Sequence, residues 1–253
     1  MLVSVVTPVK NGVRFLEATL QSVRAQTHPR VEHVVVDGGS TDGTLDLLRA
    51  AAGLVWTTGA DAGIYDAVNR GFRLATGDVL AYQNGDDRYA APDVFERVVQ
   101  LFAARPDVDV VYGDYVIVDE SGRPREVVRA PDFAAHVLRR YNFVPPHSTF
   151  VRRRVVHEQG FWLDPALRFA GDWEWFLRMA LAGKRFVHLD GVLSEFRRHP
   201  TQVTATFGWR SKVSEWRRIC RRHRVSFPSL LWHEAFYVPL RRRLHGAGRV
   251  PIA

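Results

Sequence analysis

Asp78-Val79-Leu80-Ala81-Tyr82-Gln83-Asn84-Gly85-Asp86-Asp87 joins a short apolar run to an acidic cluster, and the fold turns on how this stretch is read. A strand that ends in adjacent carboxylates puts hard oxygen ligands at the carboxyl edge of a sheet, where open α/β folds bind their ligands. Carboxylates there suit Mg²⁺ or Mn²⁺, and such an ion shares its shell with substrate phosphates. The same four residues, 84–87, are also good turn chemistry, so the stretch alone leaves both readings open.

Towards the N-terminus the pattern supports the sheet. Residues 2–7 and 31–36 are β-branched apolar runs of buried-strand type, each ending at turn residues. Between them Val13, Leu16, Leu20 and Val23 recur at helical spacing. Thr41-Asp42-Gly43-Thr44 opens a second helix containing Leu45, Leu47 and Leu48, and 54–57 reads as a third strand. Residues 64–74 suit a third helix, with apolar positions 64, 67, 68, 72 and 74, and 78–82 is the fourth strand. This alternation predicts an α/β fold with a parallel, doubly wound sheet over roughly the first hundred residues, its strand-end loops on one edge.

Towards the C-terminus the pattern loosens. A helix is expected over 94–102, a longer strand over 108–118, and a hairpin turn at 120–123 before 126–129. A helical stretch near 133–139 precedes the Pro145-Pro146-His147 break and a strand over 148–152. Residues 172–182 read as an aromatic-rich helix, followed by separate strands near 185–189 and 193–197.

Composition bounds the function. The 253 residues are 46% hydrophobic and 25% charged, ordinary for a globular chain. One cysteine, Cys220, excludes an intramolecular disulfide framework and fits a reducing compartment. Residues 1–8 lack a basic n-region and enter a strand directly, so no signal peptide is expected. No run reaches the roughly 18 apolar residues needed to span a bilayer, and a cytoplasmic chain is expected. The net charge of +8 is uneven: residues 209–249 hold 11 of the 35 Lys and Arg but 2 of the 27 acids, leaving the body near neutral with 24 and 25.

Four strand-end segments should converge on one edge: residues 7–10, 37–42, 61–63 and 84–87. Asp37, at the end of strand two, either accepts from a base N–H or ribose hydroxyl or shapes the turn with Asp42, which reads better as a helix cap. Neither G-x-G-x-x-G after strand one nor G-x-x-x-x-G-K-[ST] is present, which argues against a Rossmann dehydrogenase and a P-loop NTPase. A diphosphate bound here needs a metal and basic side chains.

Val5-Val6-Thr7-Pro8-Val9-Lys10-Asn11, residues 34–44 (VVVDGGSTDGT), residues 61–71 (DAGIYDAVNRG) and Thr76-Gly77-Asp78 resemble, in order and spacing, the family 2 glycosyltransferases with the GT-A fold. Residues 83–87 stand in the place of that family's metal-binding D-x-D motif. The resemblance covers residues 1–205 and is like bacterial enzymes that build exopolysaccharide or lipopolysaccharide. It implies a GT-A domain over 1–205, with a nucleotide-sugar-binding half (1–104) and a mixed-sheet acceptor half (105–205); the charge balance and helical spacing add a helical basic tail over 206–253. It implies a metal-dependent, hexosyltransferase-like inverting enzyme using Mn²⁺ or Mg²⁺, a nucleotide-diphosphate sugar, and a glycan or lipid-linked glycan acceptor. By position, Thr7, Pro8, Asp37 and Asp61 hold the nucleotide, Asp86 is the metal ligand, and Asn84, near the ribose, replaces the usual aspartate. Asp172 matches the catalytic base, with Glu174 as the rival carboxylate. His199 is a further metal or phosphate contact, with Arg197 or Arg198 facing the diphosphate; Arg198 is assigned to the donor. His147 and Trp173, with Glu174, are candidate acceptor residues.

In the tail, Val213, Trp216, Ile219 and Cys220 fall on one helical face with arginines on the others, and Trp232, Phe236, Tyr237 and Arg241–Arg243 continue that character. A basic amphipathic helix reads as membrane-surface binding, here on the inner face, or as a face that packs its apolar side on the domain. Three other functions compete. A sugar-1-phosphate nucleotidyltransferase needs a Gly-rich clamp that residues 8–12 supply poorly. A nucleic-acid-binding protein lacks any recognition signature here, and no nucleic-acid partner is expected. A transferase-like binder without turnover is the reading that Asn84 leaves open.

Overall fold

Seven β-branched and small residues, Val3–Val9, form β1, buried along its whole length. The computed structural model, which describes residues 1–202 and 207–226, hangs the first half of the chain on this strand. β2 (Val31–Asp37) lies parallel to β1 on one side and β4 (Val79–Tyr82) on the other, and β3 (Val55–Thr58) extends the sheet beyond β2. The chain thus winds outward from β1 to β3 and returns to the opposite side of β1. That reversal opens a crevice at the carboxyl ends of β1 and β4.

The crossovers are α1 (Leu16–Arg24), α2 (Thr44–Ala50) and α3 (Ile64–Leu74). α1 buries Leu16, Leu20 and Val23, whereas Val13, expected on that stripe, precedes the helix and is 39% exposed. α3 lies close on the sheet because Gly71 has no side chain: a Cβ there would stand 2.2 Å from Cγ1 of Val6.

The second half inserts mixed strands. β8 (Thr149–Arg152) sits antiparallel between β4 and β6 (Val110–Val118), and β9 (Phe186–Arg197) runs parallel to β6. β5 (Arg88–Tyr89) pairs antiparallel with β9, and β7 (Pro124–Val128) forms the expected hairpin with β6. The nine-stranded order is β3-β2-β1-β4-β8-β6-β9-β5, with β7 beside β6. α4 (Val94–Ala104), α5 (Ala135–Leu138), α6 (Arg153–His157) and α7 (Gly171–Leu181) complete the described domain with α8 (Trp209–His223).

Three expectations change. The two strands read near 185–189 and 193–197 are one, β9: Asp190-Gly191 reads as a turn, but Gly191, at φ 104°, absorbs a bulge while pairing with β6 continues. β5 and α6 were not expected; each is held by tertiary contacts and is too short to show a period. The apolar face of α8 is not free for a membrane. Trp216, Ile219 and Cys220 are buried in the cluster that contains Trp173, Trp175 and Phe176 of α7, with Val213 packed against it. Trp232, Phe236, Tyr237 and Arg241–Arg243 lie outside the described residues. Among the described residues no helix is long and apolar enough to cross a membrane.

Candidate active site

The loop after β4 turns back on itself, with the Asp87 N–H donating to the Asn84 carbonyl at 3.1 Å. Asp87 serves the loop. Its carboxylate accepts from Arg197 N–H and from Asn84 Nδ2, both at 2.9 Å, and its carbonyl accepts from the Thr19 hydroxyl at 2.6 Å. Burial, then the neighbouring Asp86 charge, lifts its carboxyl well above the usual range. It is not available to replace the aspartate missing at position 84.

Asp86 faces outward into a cavity of about 1790 Å³ that Asn84, Arg198 and His199 also line. His199 Nε2 stands 2.8 Å from Asp86 Oδ2, its Nδ1 lies 2.8 Å from the Thr201 hydroxyl, and its ring leans on Phe15. Arg197 is the buried strut behind them, donating to the carbonyls of Asp86 and Glu120. Of the two arginines, Arg198 is the one at the cavity wall. The donor set fits a divalent cation of the Mg²⁺ or Mn²⁺ type. It offers the Asp86 carboxylate, the His199 imidazole and the buried Asn84 Oδ1, which has no hydrogen-bond partner among the described residues. No group of three or more His, Cys, Asp or Glu converges among the described residues. That suits an ion bound by one or two side chains plus substrate phosphates.

On the β1 side, Pro8, Lys10 and Asp61 line the same cavity. Asp61 accepts from the Gly63 N–H at 2.8 Å and crowds Gly38, where a Cβ would stand 2.5 Å from Asp61 Oδ2. Two expected nucleotide contacts are otherwise engaged. Thr7 is buried, with its hydroxyl 2.8 Å from His33 Nε2 on the neighbouring strand. Asp37 is buried too and accepts from the N–H groups of Gly39 and Ser40, both at 3.0 Å, from Thr58 Oγ1 at 2.6 Å and from the Ser40 hydroxyl. Burial alone would raise its pKa, but the Ser40 and Thr58 hydrogen bonds outweigh it and hold the carboxyl below the usual range. Four donors fill a carboxylate, so Asp37 shapes the loop, the alternative its turn context offered.

Asp172, in the first turn of α7, lines the same cavity. Its Oδ2 accepts from Asn142 Nδ2 at 3.1 Å, and the Tyr65 hydroxyl lies 3.4 Å from Oδ1. Asn142 cannot be flipped without loss, because its Oδ1 accepts from the Val144 N–H at 3.1 Å. Burial lifts Asp172 to about 6, against the pull of hydrogen bonds from nearby N–H groups, Tyr65 and Asn142. Tyr82, at the end of β4, lines the cavity too, and burial, then the charges of Asp172 and Asp87, lifts its hydroxyl well above the usual range.

The rival carboxylate turns away. Glu174 is 1% exposed and meets Arg178 and, at 2.9 Å, His223 of α8. Trp173 is 2% exposed, with its Nε1–H on the Leu138 carbonyl at 2.8 Å, so it packs α7 and does not line the cavity. An α-helix with Trp173, Trp175 and Phe176 all buried leaves no aromatic of that segment for sugar stacking. His147 does line the cavity. Burial lowers it to about 3, Nδ1 bonds Ser194 Oγ at 2.7 Å, and its ring stacks on Phe196.

Sequence reading passed over Tyr65, Tyr82, Asn142 and Arg168, all of which line the cavity. Tyr82 counted as the last residue of an apolar strand and Tyr65 fell outside the apolar stripe read over 64–74, so neither hydroxyl was marked out. Asn142 sits in an aperiodic stretch, its one signal being a polar residue between the aromatics Tyr141 and Phe143.

Comparison with known proteins agrees with this architecture. The family model described as glycosyl transferase family 2 matches residues 4–164. An uncharacterized glycosyltransferase of Mycobacterium tuberculosis is 32% identical over 200 residues, 77% of this chain and 74% of that protein. A PGL/p-HBAD biosynthesis glycosyltransferase of Mycobacterium bovis is 39% identical over 119 residues, so the match spans 45% of this chain and about half (46%) of that protein. Among solved structures, S. aureus TarS 1–349 in complex with UDP-GlcNAc has a TM-score of 0.71 at 18% identity, covering 87% of this chain and 66% of that one. A mannosyltransferase from Pyrobaculum calidifontis in complex with GDP-Man and Mn²⁺ has a TM-score of 0.65 at 23% identity, covering 92% and 69%.

Proposed function

Because the chain belongs to glycosyl transferase family 2, we propose that it moves a sugar from a nucleotide-diphosphate sugar to an acceptor hydroxyl with inversion, in the making of cell-surface polysaccharide. One observation carries this reading: Asp86 with His199 and Asp172 with Asn142 line a single cavity. UDP-GlcNAc and GDP-Man in the similar structures support a nucleotide-sugar donor, and Mn²⁺ beside GDP-Man supports a divalent cation.

In this reading the donor lies along Pro8, Lys10, Asp61 and Asn84, with its diphosphate at Asp86, Arg198 and His199. Asp86 and His199 would hold a divalent cation, which when bound would supply positive charge against the diphosphate. Asp172 takes the proton of the acceptor hydroxyl as that oxygen attacks the anomeric carbon from the face opposite the leaving diphosphate. The bond from the anomeric carbon to the diphosphate oxygen breaks, and its electron pair leaves with the nucleotide. Asn142 and Tyr65 hold the carboxylate towards the acceptor, and Arg198 faces the departing charge.

The PGL/p-HBAD relative supports an acceptor among cell-surface glycolipids or glycans. With the apolar face of α8 packed inward, membrane contact made by this helix rests on its arginines. Attraction of roughly 1 kcal/mol per nearby basic residue makes such contact salt-sensitive. Sedimentation with anionic vesicles that persists unchanged in high salt would contradict that mode.

The test of the donor site is a thermal-shift panel of UDP, GDP, dTDP and ADP, with and without Mn²⁺, on wild type and Asp86→Ala. One nucleotide should stabilise wild type only with metal, by roughly 2.7 kcal/mol at a hundred times its dissociation constant, and Asp86→Ala should lose the effect. A folded wild type that no nucleotide stabilises would overturn the proposal.

A further inference from the structure

Glu215 is the only carboxylate of α8, among Arg210, Lys212, Arg217, Arg218, Arg221 and Arg222. Its oxygens reach the loop that leads into α7. Oε1 accepts from the Arg168 N–H at 2.6 Å, and Oε2 from the N–H groups of Phe169 and Ala170, both at 2.9 Å. Three consecutive backbone donors on one ionised acceptor fix the direction of each peptide, and such charge-assisted bonds are about twice as strong as neutral ones.

The opposite side of the loop is held as well. The Phe169 carbonyl accepts from the Tyr65 hydroxyl at 2.9 Å, and that hydroxyl lies 3.4 Å from Asp172 Oδ1. Lys212 stands 4.6 Å over the Phe169 ring, and Trp216 meets the ring edge-on. The loop's own side chains enter the cavity. Arg168 and Phe169 line it, and the Arg168 guanidinium covers Gly63, where a Cβ would stand 2.1 Å from Nη1. Ala170 caps α7, two residues before Asp172. A shift of this backbone therefore moves the carboxylate and the guanidinium together.

We infer that Glu215 is a positioning residue of the transferase: by gripping the backbone of residues 168–170 it sets where Asp172 and Arg168 stand in the cavity, which makes α8 a working part of the site. The inference rests on the reading of Asp172 as the base. A residue that only anchored α8 would affect stability and leave the chemistry of Asp172 untouched.

The experiment compares full-length wild type, Glu215→Gln, Glu215→Asp, Arg222→Ala and Asp172→Asn. Turnover is read as release of UDP from UDP-GlcNAc or of GDP from GDP-mannose, whichever wild type hydrolyses with water as acceptor. Glutamine keeps the shape but turns an NH₂ towards backbone donors, and should lower kcat about 10–100-fold, as an ångström-scale misplacement does, with the donor KM within about two-fold of wild type. The acid limb of its kcat profile should move from about 6 towards about 4, as Asp172 gains water. Glu215→Asp, one methylene shorter, is read the same way and covers a glutamine variant that does not fold. Arg222→Ala removes an outer contact of α8, to Asp164 at 2.7 Å, and should lower stability while leaving kcat and the acid limb in place. Folded Glu215 variants with wild-type kcat and acid limb, or with lower kcat and an unmoved limb, would overturn the inference. Asp172→Asn that still turns over would sink the base assignment itself. Inactive Asp172→Asn beside fully active Glu215 variants would sink only the positioning role.

Discussion

Burial raises Asp172 to about 6, and the sign of that shift makes two predictions. A base must be ionised, so kcat should rise with pH through about 6 and then level. Asp172→Asn should lower kcat by about 10²–10⁴-fold, the usual worth of a positioned proton acceptor. Stability runs the other way. A carboxyl whose folded pKa exceeds its unfolded value stabilises the fold fully below about 4 and loses that contribution as pH rises through about 6. Asp172→Asn should therefore unfold at higher urea than wild type at pH 8, by up to about 3 kcal/mol, with the difference gone by pH 3. Equal stability at pH 8 would mean that the carboxyl of Asp172 is not raised to about 6 in the folded protein. Asn142→Ala, which removes a hydrogen bond to the ionised form, should move the acid limb upward.

At the scale of elements, α3 packs on β1 through Gly71, and Gly71→Val would drive a branched side chain into Val6. Overpacking of this kind costs about 1–3 kcal/mol, measurable as a lower urea midpoint with an unchanged slope. The first four strands and the helices between them were legible because each carries its own period or β-branched run, and 64–74 matches α3 residue for residue. β5 and the bulge in β9 were not, since two residues have no period and Gly191 reads as a turn until a neighbouring strand fixes it. Asp86, Pro8, Asp61, Arg198, His199 and His147 fall on the cavity as the residue pattern and the family resemblance imply. Thr7, Asp37, Trp173 and Glu174 do not, because position in a motif gives the backbone location and not the direction of the side chain. Each of the four found a hydrogen-bond partner inside the protein. Glu215 was invisible for the opposite reason: its partners are backbone N–H groups, which no residue type announces.

Across the whole molecule, one apolar cluster contains Val6 and Val34 of the first strands, Tyr112 and Val151 of the inserted ones, and Trp216 of α8. Such continuity predicts a single unfolding transition, with far-UV and near-UV signals superimposing in urea. Trp216→Ala should lower the stability of the whole by about 3–5 kcal/mol, and should not detach α8 alone. Two resolved transitions would contradict this.

The acidic loop has one more consequence, concerning the lengths of chain the fold tolerates. Residues 83–87 leave β4 in the middle of the sheet and deliver β5 to its far edge, beside β9. They are bonded on the way to Thr19 of α1 and to Arg197 of β9. Surface loops usually accept insertions and deletions because little holds their backbone. This one joins strands that are not neighbours, so an added or lost residue displaces both ends. Gene variants that differ in length should therefore cluster at exposed turns such as residues 120–123 and be absent between Tyr82 and Arg88.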